Sequence, residues 1–228
     1  MSPVGFDTET FLIRPAQLAP RLVCLTSAIP CTGARLWHAK YEGTVWEDGR
    51  FDREGSARGH FEWILEQDPI YGANVAFDMC VCLAEWPDLF PQVFKAYDES
   101  RVIDIQLSQR LIDNTRGRMT IIERTQGYSL AALVKRHLKK DRSIEKNDPD
   151  AWRLRYNELY DVHSQAWPTA ALQYALDDAD DTLSVGVQQF LKHQEVLGDS
   201  PAQARAAFAL QLMMCWGVKT DPKRIEQL

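Results

Sequence analysis

The stretch Pro3-Val4-Gly5-Phe6-Asp7-Thr8-Glu9 alternates with period two: Val4, Phe6 and Thr8 fall on one side, and Gly5, Asp7 and Glu9 on the other. Such alternation predicts a β-strand with one apolar face. Asp7 and Glu9, at i and i+2, then project to the same side of it. Two carboxylates side by side repel, and a divalent cation is the usual reason that such a pairing is tolerated.

Outward from this strand, 21–28 and 34–39 are predicted as the next two strands of a meander. Residues 41–59, charged and glycine-bearing, read as a surface loop with room for a short helix. A helix is expected at 59–67, followed by a buried strand at 69–73 that ends at Asn74. Helices dominate beyond it, at 76–85, 91–97, 105–113, 129–138, 149–160, 168–194 and 201–216. Several start with cap chemistry: Ser129 before Leu130, Asp148-Pro149 and Ser200-Pro201. Gly198-Asp199-Ser200-Pro201 is a helix stop followed by a start, which divides the chain into 1–198 and an extension, 199–228. Residues 221–228 read as the opening turns of another helix, so more chain is expected to follow.

The bulk numbers fit an α/β domain with an appendage: 228 residues, 45% hydrophobic and 25% charged. No apolar run approaches the roughly 20 residues of a membrane span, and Met1-Ser2-Pro3 leads into a strand without a signal-peptide pattern. The expected location is the cytoplasm. Cys24, Cys31, Cys80, Cys82 and Cys215 are odd in number, mostly in apolar settings and without zinc-site spacing, as expected of reduced thiols. The net charge is −6, yet 109–146 holds ten Lys/Arg against four Asp/Glu, leaving −12 for the rest. A basic segment on an acidic body can still follow a phosphate backbone, and Arg116 and Arg118 are the candidates for that contact. A solvated helical face is the plainer account of any single cation in it.

The last long helix allows a sharper reading. Gln173, Asp177, Asp180, Ser184 and Gln188 recur at helical spacing as a polar stripe; Ala171, Tyr174, Asp178, Thr182 and Val185 form a second stripe in which Asp178 is the only charge. A charge on such a face is seldom unpaired, so Asp178 is the expected metal ligand, and Asp177, Asp180 and Asp181 are assigned to the surface. Tyr174, one turn earlier, is placed to orient a water. In Asn74-Val75-Ala76-Phe77-Asp78, Asn74 is expected to cap a helix whose first turn carries Asp78. Oxygen ligands of this kind suit Mg²⁺ or Mn²⁺, and two such ions would acidify an attacking water and neutralise a leaving oxygen.

Taken together, 4–10, 71–78 and 174–183 resemble the proofreading 3′→5′ exonuclease domain of family A DNA polymerases, in the tyrosine-type branch of the four-carboxylate exonucleases. The resemblance covers nearly the first 195 residues. It implies a ribonuclease H-like α/β fold with a mixed central sheet flanked by helices. It also implies that Asp7, Glu9 and Asp178 hold the first of two divalent cations, with Asp7 bridging to a second that Asp78 reaches through water, and that Tyr174 orients the nucleophile. Gln173 stands where a histidine-type relative would carry its base. Asp104 is assigned to the scaffold; Thr8, Thr10, Leu12 and Asn74 are the further candidates for contact with a single-stranded DNA 3′ end, with Phe11, Leu12 and Ile13 as an apolar wedge beside the terminal base. Residues 209–222 look like the opening of a polymerase thumb, implying a polymerase domain in the parent chain and a link to bacteriophage enzymes. A stand-alone RNA 3′-trimming nuclease and a catalytically silent binding module are the competing expectations.

Overall fold

The period-two stretch forms the strand from which the sheet grows in both directions. The computed structural model describes residues 2–15, 17–142 and 150–217. Strand β1, Val4–Thr10, pairs antiparallel with β2, Leu22–Ile29, which continues antiparallel to β3, Gly33–His38, then β4, Thr44–Trp46, and β5, Phe51–Asp52. On its other edge β1 pairs parallel with β6, Ile70–Gly72, which pairs parallel with β7, Val102–Asp104. The result is a mixed seven-stranded sheet in the order β5-β4-β3-β2-β1-β6-β7.

Helices cover both faces. One core joins Phe6, Leu25 and Ile70 to α1 (Ala57–Ile64), α2 (Val75–Glu85) and α3 (Phe90–Asp98). The opposite core gathers α4 (Ile105–Thr115), α5 (Met119–Thr125), α6 (Leu130–Leu138) and the long α7 (Thr169–His193). α7 lies directly on β1 because Gly5 has no side chain: a Cβ there would collide with the Ala179 carbonyl and Leu183. Lower down, Gly186 leaves room for the Tyr71 ring in the same way. The last helix, α8 (Ser200–Trp216), returns to the first core, where Phe208 stacks on Tyr97 with ring centroids 4.3 Å apart. Residues 218–228, which hold the end of the thumb-like stretch 209–222 and the further helix expected at 221–228, lie outside the described residues.

The structure corrects several local expectations. The loop 41–59 contains the β4–β5 hairpin, and α1 begins at Ala57, capped by Ser56, whose side chain accepts from the Gly59 amide. Within 149–160, the described residues form two short 3₁₀ turns, Trp152–Leu154 and Tyr156–Leu159, broken at Arg155. Tertiary contact explains the break: the Tyr156 hydroxyl donates to the Ala171 carbonyl at 2.7 Å, pinning the segment onto α7. Ser200 is not a cap; it is buried and hydrogen-bonded to Ser108. Asp148-Pro149 lies outside the described residues. β7 and α5 are additional elements. All five cysteines are free thiols, three of them buried. Among the described residues no helix is long and apolar enough to cross a membrane.

Candidate metal centre

Three carboxylates meet where α7 crosses the end of β1. Asp7, Glu9 and Asp178 each offer an oxygen, and these oxygens lie within 4.8 Å of one another. The strand supplies the first two from one face, and a register shift at Glu9/Thr10 bends its end beside the site. The close approach at Gly5 brings Asp178 over them, since Ala179 is the residue whose carbonyl rests on that glycine. The predicted apolar stripe of α7 is buried throughout, from Ala171 to Val185.

Tyr174 sits beside this group, 8% exposed. Burial first, then the charges of Asp178, Glu9 and Asp7, push its hydroxyl well above the ordinary range, so it remains a neutral phenol able to donate a hydrogen bond. A cavity of about 400 Å³ lined by Trp152, Ala170, Gln173, Tyr174 and Asp177 opens next to it.

Asp78 stands apart from the three. It lies on the first turn of α2, 3% exposed, and accepts from the Thr8 hydroxyl at 2.5 Å. Thr8 alternates with Asp7 and Glu9, so this bond forms on the other face of β1. Burial, opposed by the Thr8 bond and reinforced by Asp104, raises the Asp78 carboxyl to about 8. Asp104 is scaffold: its oxygens accept from the amides of Gln106, Leu107 and Val75, stapling the starts of α4 and α2 together. It takes over the capping expected of Asn74, which is exposed, left-handed at φ 64° and makes no side-chain cap bond.

The nucleic-acid candidates scatter. Leu12 is 48% exposed and Ile13 57%, just beyond β1, while Phe11 packs edge-on against Tyr160. Thr10 donates to the Phe11 carbonyl at 2.8 Å, and Thr8 is buried against Asp78, which withdraws its hydroxyl from solvent. Arg116 reaches His193 at 3.1 Å, and Arg118 is exposed before α5. His193 follows Asp178 by fifteen residues of helix, roughly 22 Å at 1.5 Å per residue, so Arg116 is far from the carboxylates. Much of the basic segment is paired internally: Arg110 with Glu123, Lys135 with Asp141, and Arg136 with Asp113.

The sequence reading missed Arg142 and misplaced Asp181. Arg142 is 1% exposed; it bonds to Asp178 and, at 2.9 Å, to Asp181. Asp181, assigned to the surface, is 2% exposed and also meets Lys140 at 3.3 Å; Asp177 and Asp180 are half-buried. The available signal was spacing: Asp181 is one turn from Asp178 and shares the edge of its face. No protein-family model and no curated protein sequence matches the chain.

Proposed function

We propose that the chain is a metal-dependent 3′→5′ exonuclease on a ribonuclease H-like fold, resembling the proofreading domain of family A DNA polymerases. The supporting observation is the convergence of Asp7, Glu9 and Asp178, from residues far apart in sequence, within 4.8 Å. Three hard oxygen donors fit Mg²⁺ or Mn²⁺ and suit neither copper nor a zinc thiolate site. Asp7, Glu9 and Asp178 would hold the first cation; Asp78, bonded to Thr8 on the other face of β1, would reach a second one only through water. Such cations supply Lewis-acid polarisation of a phosphodiester and a more acidic attacking water.

The remaining work falls to the chain's own residues. Tyr174, kept protonated by burial and then by its acidic neighbours, donates a hydrogen bond that aims the attacking water. Arg142 fixes the Asp178 carboxylate through a buried pair and tempers the repulsion within the cluster. Leu12 and Ile13 give the terminal base an apolar edge. The substrate is the 3′ end of single-stranded or frayed DNA, and a polymerase domain in the parent chain would supply it.

A 5′-labelled oligonucleotide tests this reading. Stepwise shortening from the 3′ end with Mg²⁺ or Mn²⁺, none with a chelator, and slower attack on matched RNA are expected. Tyr174→Phe should slow the reaction about tenfold, less than loss of any carboxylate in the cluster. No shortening under any divalent cation would overturn the nuclease reading, and faster RNA cleavage would overturn the choice of DNA.

A further inference from the structure

The face of the sheet opposite the carboxylates carries a second polar pocket. Ser27 pairs across strands with Phe6 and Arg35, so its side chain points to the α1 side, away from Asp7. A cavity of about 220 Å³ is lined there by Ser27, Ile29, Arg35, His60 and Trp63. The Ser27 hydroxyl lies 2.7 Å from Nε2 of His60, whose ring stacks 3.3 Å from Trp37 and 5.0 Å from Trp63, centroid to centroid.

Positive charge gathers at the rim. The guanidiniums of Arg35 and Arg50 lie 3.6 and 4.0 Å from the Trp46 ring centre, and neither makes an ion pair among the described residues. Burial and the nearby Arg50 both disfavour the charge on Arg35. Two adjacent buried N–H donors, Nε of Arg35 and Nε1 of Trp46, have no acceptor among the described residues. A half-buried guanidinium beside a like charge, with orphaned donors, is an arrangement that an oxyanion would relieve.

We propose that this pocket binds a phosphate-type oxyanion, free or carried on a small molecule, against the Arg35 guanidinium and the Ser27 hydroxyl. Arginine's planar fork suits two oxygens of such a group. His60 completes the site by its tautomer: with its proton on Nε2 it donates to the Ser27 oxygen, which frees the Ser27 hydrogen for the ligand. Burial and Arg35 lower the imidazole to about 3, so it stays neutral and adds no competing charge demand. No carboxylate orients the ring among the described residues, which argues against a nucleophilic serine and for a binding role. The proposal is independent of the nuclease reading, because it uses neither the cluster nor its cations.

The test titrates the full chain with inorganic phosphate and, separately, with a nucleoside 5′-monophosphate, in chelator, by calorimetry and tryptophan fluorescence. One saturable equivalent is expected; Arg35→Gln should weaken it about tenfold or more, Ser27→Ala several-fold, and Asp7→Ala not at all. Tighter binding of the monophosphate identifies a small-molecule ester as the source, and equal affinity identifies free phosphate. Should Arg35→Gln fail to fold, the exposed Arg50→Gln serves, with a loss of a few-fold expected. No saturable binding of either ligand, equal loss in Asp7→Ala, or binding of oligonucleotide alone would each overturn the proposal.

Discussion

The two halves of α7 bury polar side chains in opposite ways. Toward the N-terminus, Asp178 and Asp181 enter the core as ion-pair partners of Arg142, and Asp178 also meets Asp7 and Glu9. Toward the C-terminus, Gln189 enters as a neutral amide that donates to the Ile105 carbonyl at 2.9 Å and to Oε1 of Gln109 at 3.1 Å. That oxygen also accepts from His137 at 2.6 Å. The neutral end is a hydrogen-bonded network of uncharged groups with one loose end, Oε1 of Gln189, which is buried and meets no donor among the described residues. The charged end packs like charges within 4.8 Å, an arrangement that cations stabilise, whether side chains or ions. One helix therefore carries a scaffold at one end and a candidate site at the other.

If that division is right, substitutions at the charged end should remove activity while sparing the fold. Asp7→Ala and Asp178→Ala are each expected to lower the rate of 3′ shortening on the order of a thousandfold or more, with unchanged far-UV dichroism. A rate within tenfold of the parent in either variant would erase the contrast between the two ends. Arg142→Met reports on the same end by stability. It leaves Asp178 and Asp181 buried without their shared partner, and a loss of about 3–5 kcal/mol is expected in denaturant melts. Added Mg²⁺ should restore more stability to this variant than to the parent, since a cation can replace the missing guanidinium.

How far this division could be read from sequence depends on the kind of interaction. The strand pair Asp7/Glu9 and the buried stripe with Tyr174 and Asp178 follow from periods of 2 and 3.6, which depend only on local geometry, and both are observed. Arg142 was invisible because its partners Asp178 and Asp181 lie far along the chain, a contact that no local pattern encodes. Asp181 was misread for a related reason: an acid that a distant arginine meets looks the same in sequence as one that water meets. The β4–β5 hairpin escaped because its strands are three and two residues long, too short for alternation to register. Asn74 has a sequence suited to capping, but its left-handed backbone makes no cap bond, and Asp104, thirty residues later, accepts from the first amide of the helix, that of Val75.

The neutral end should respond in stability alone. Gln189→Leu removes two donated bonds, while the Ile105 carbonyl keeps its helical partner in α4 and Gln109 Oε1 keeps His137, for an expected cost of about 1 kcal/mol. The shortening rate per folded molecule should not change, because Gln189 lies eleven residues past Asp178, roughly 16 Å along the axis. A proportionate fall in rate would mean that the two ends act as one unit.

A last difference is in pH. Burial first, then Arg136, Lys192 and His193, lower His137 from 6.5 to about 4 in the folded protein. Between those values the unfolded chain binds the proton and the folded one does not, so acid favours unfolding there. The contribution of His137 is complete above pH 6.5 and is lost as pH falls toward 4. Solvent still reaches part of the ring, which reduces the effect to about 1 kcal/mol over the window. Paired melts of the parent and His137→Gln at pH 7.5 and 4.5 isolate it: the variant should lose less stability on acidification, by that amount. Equal losses would show that the imidazole already titrates freely, and that the network around Gln109 is wetter than its short bonds imply.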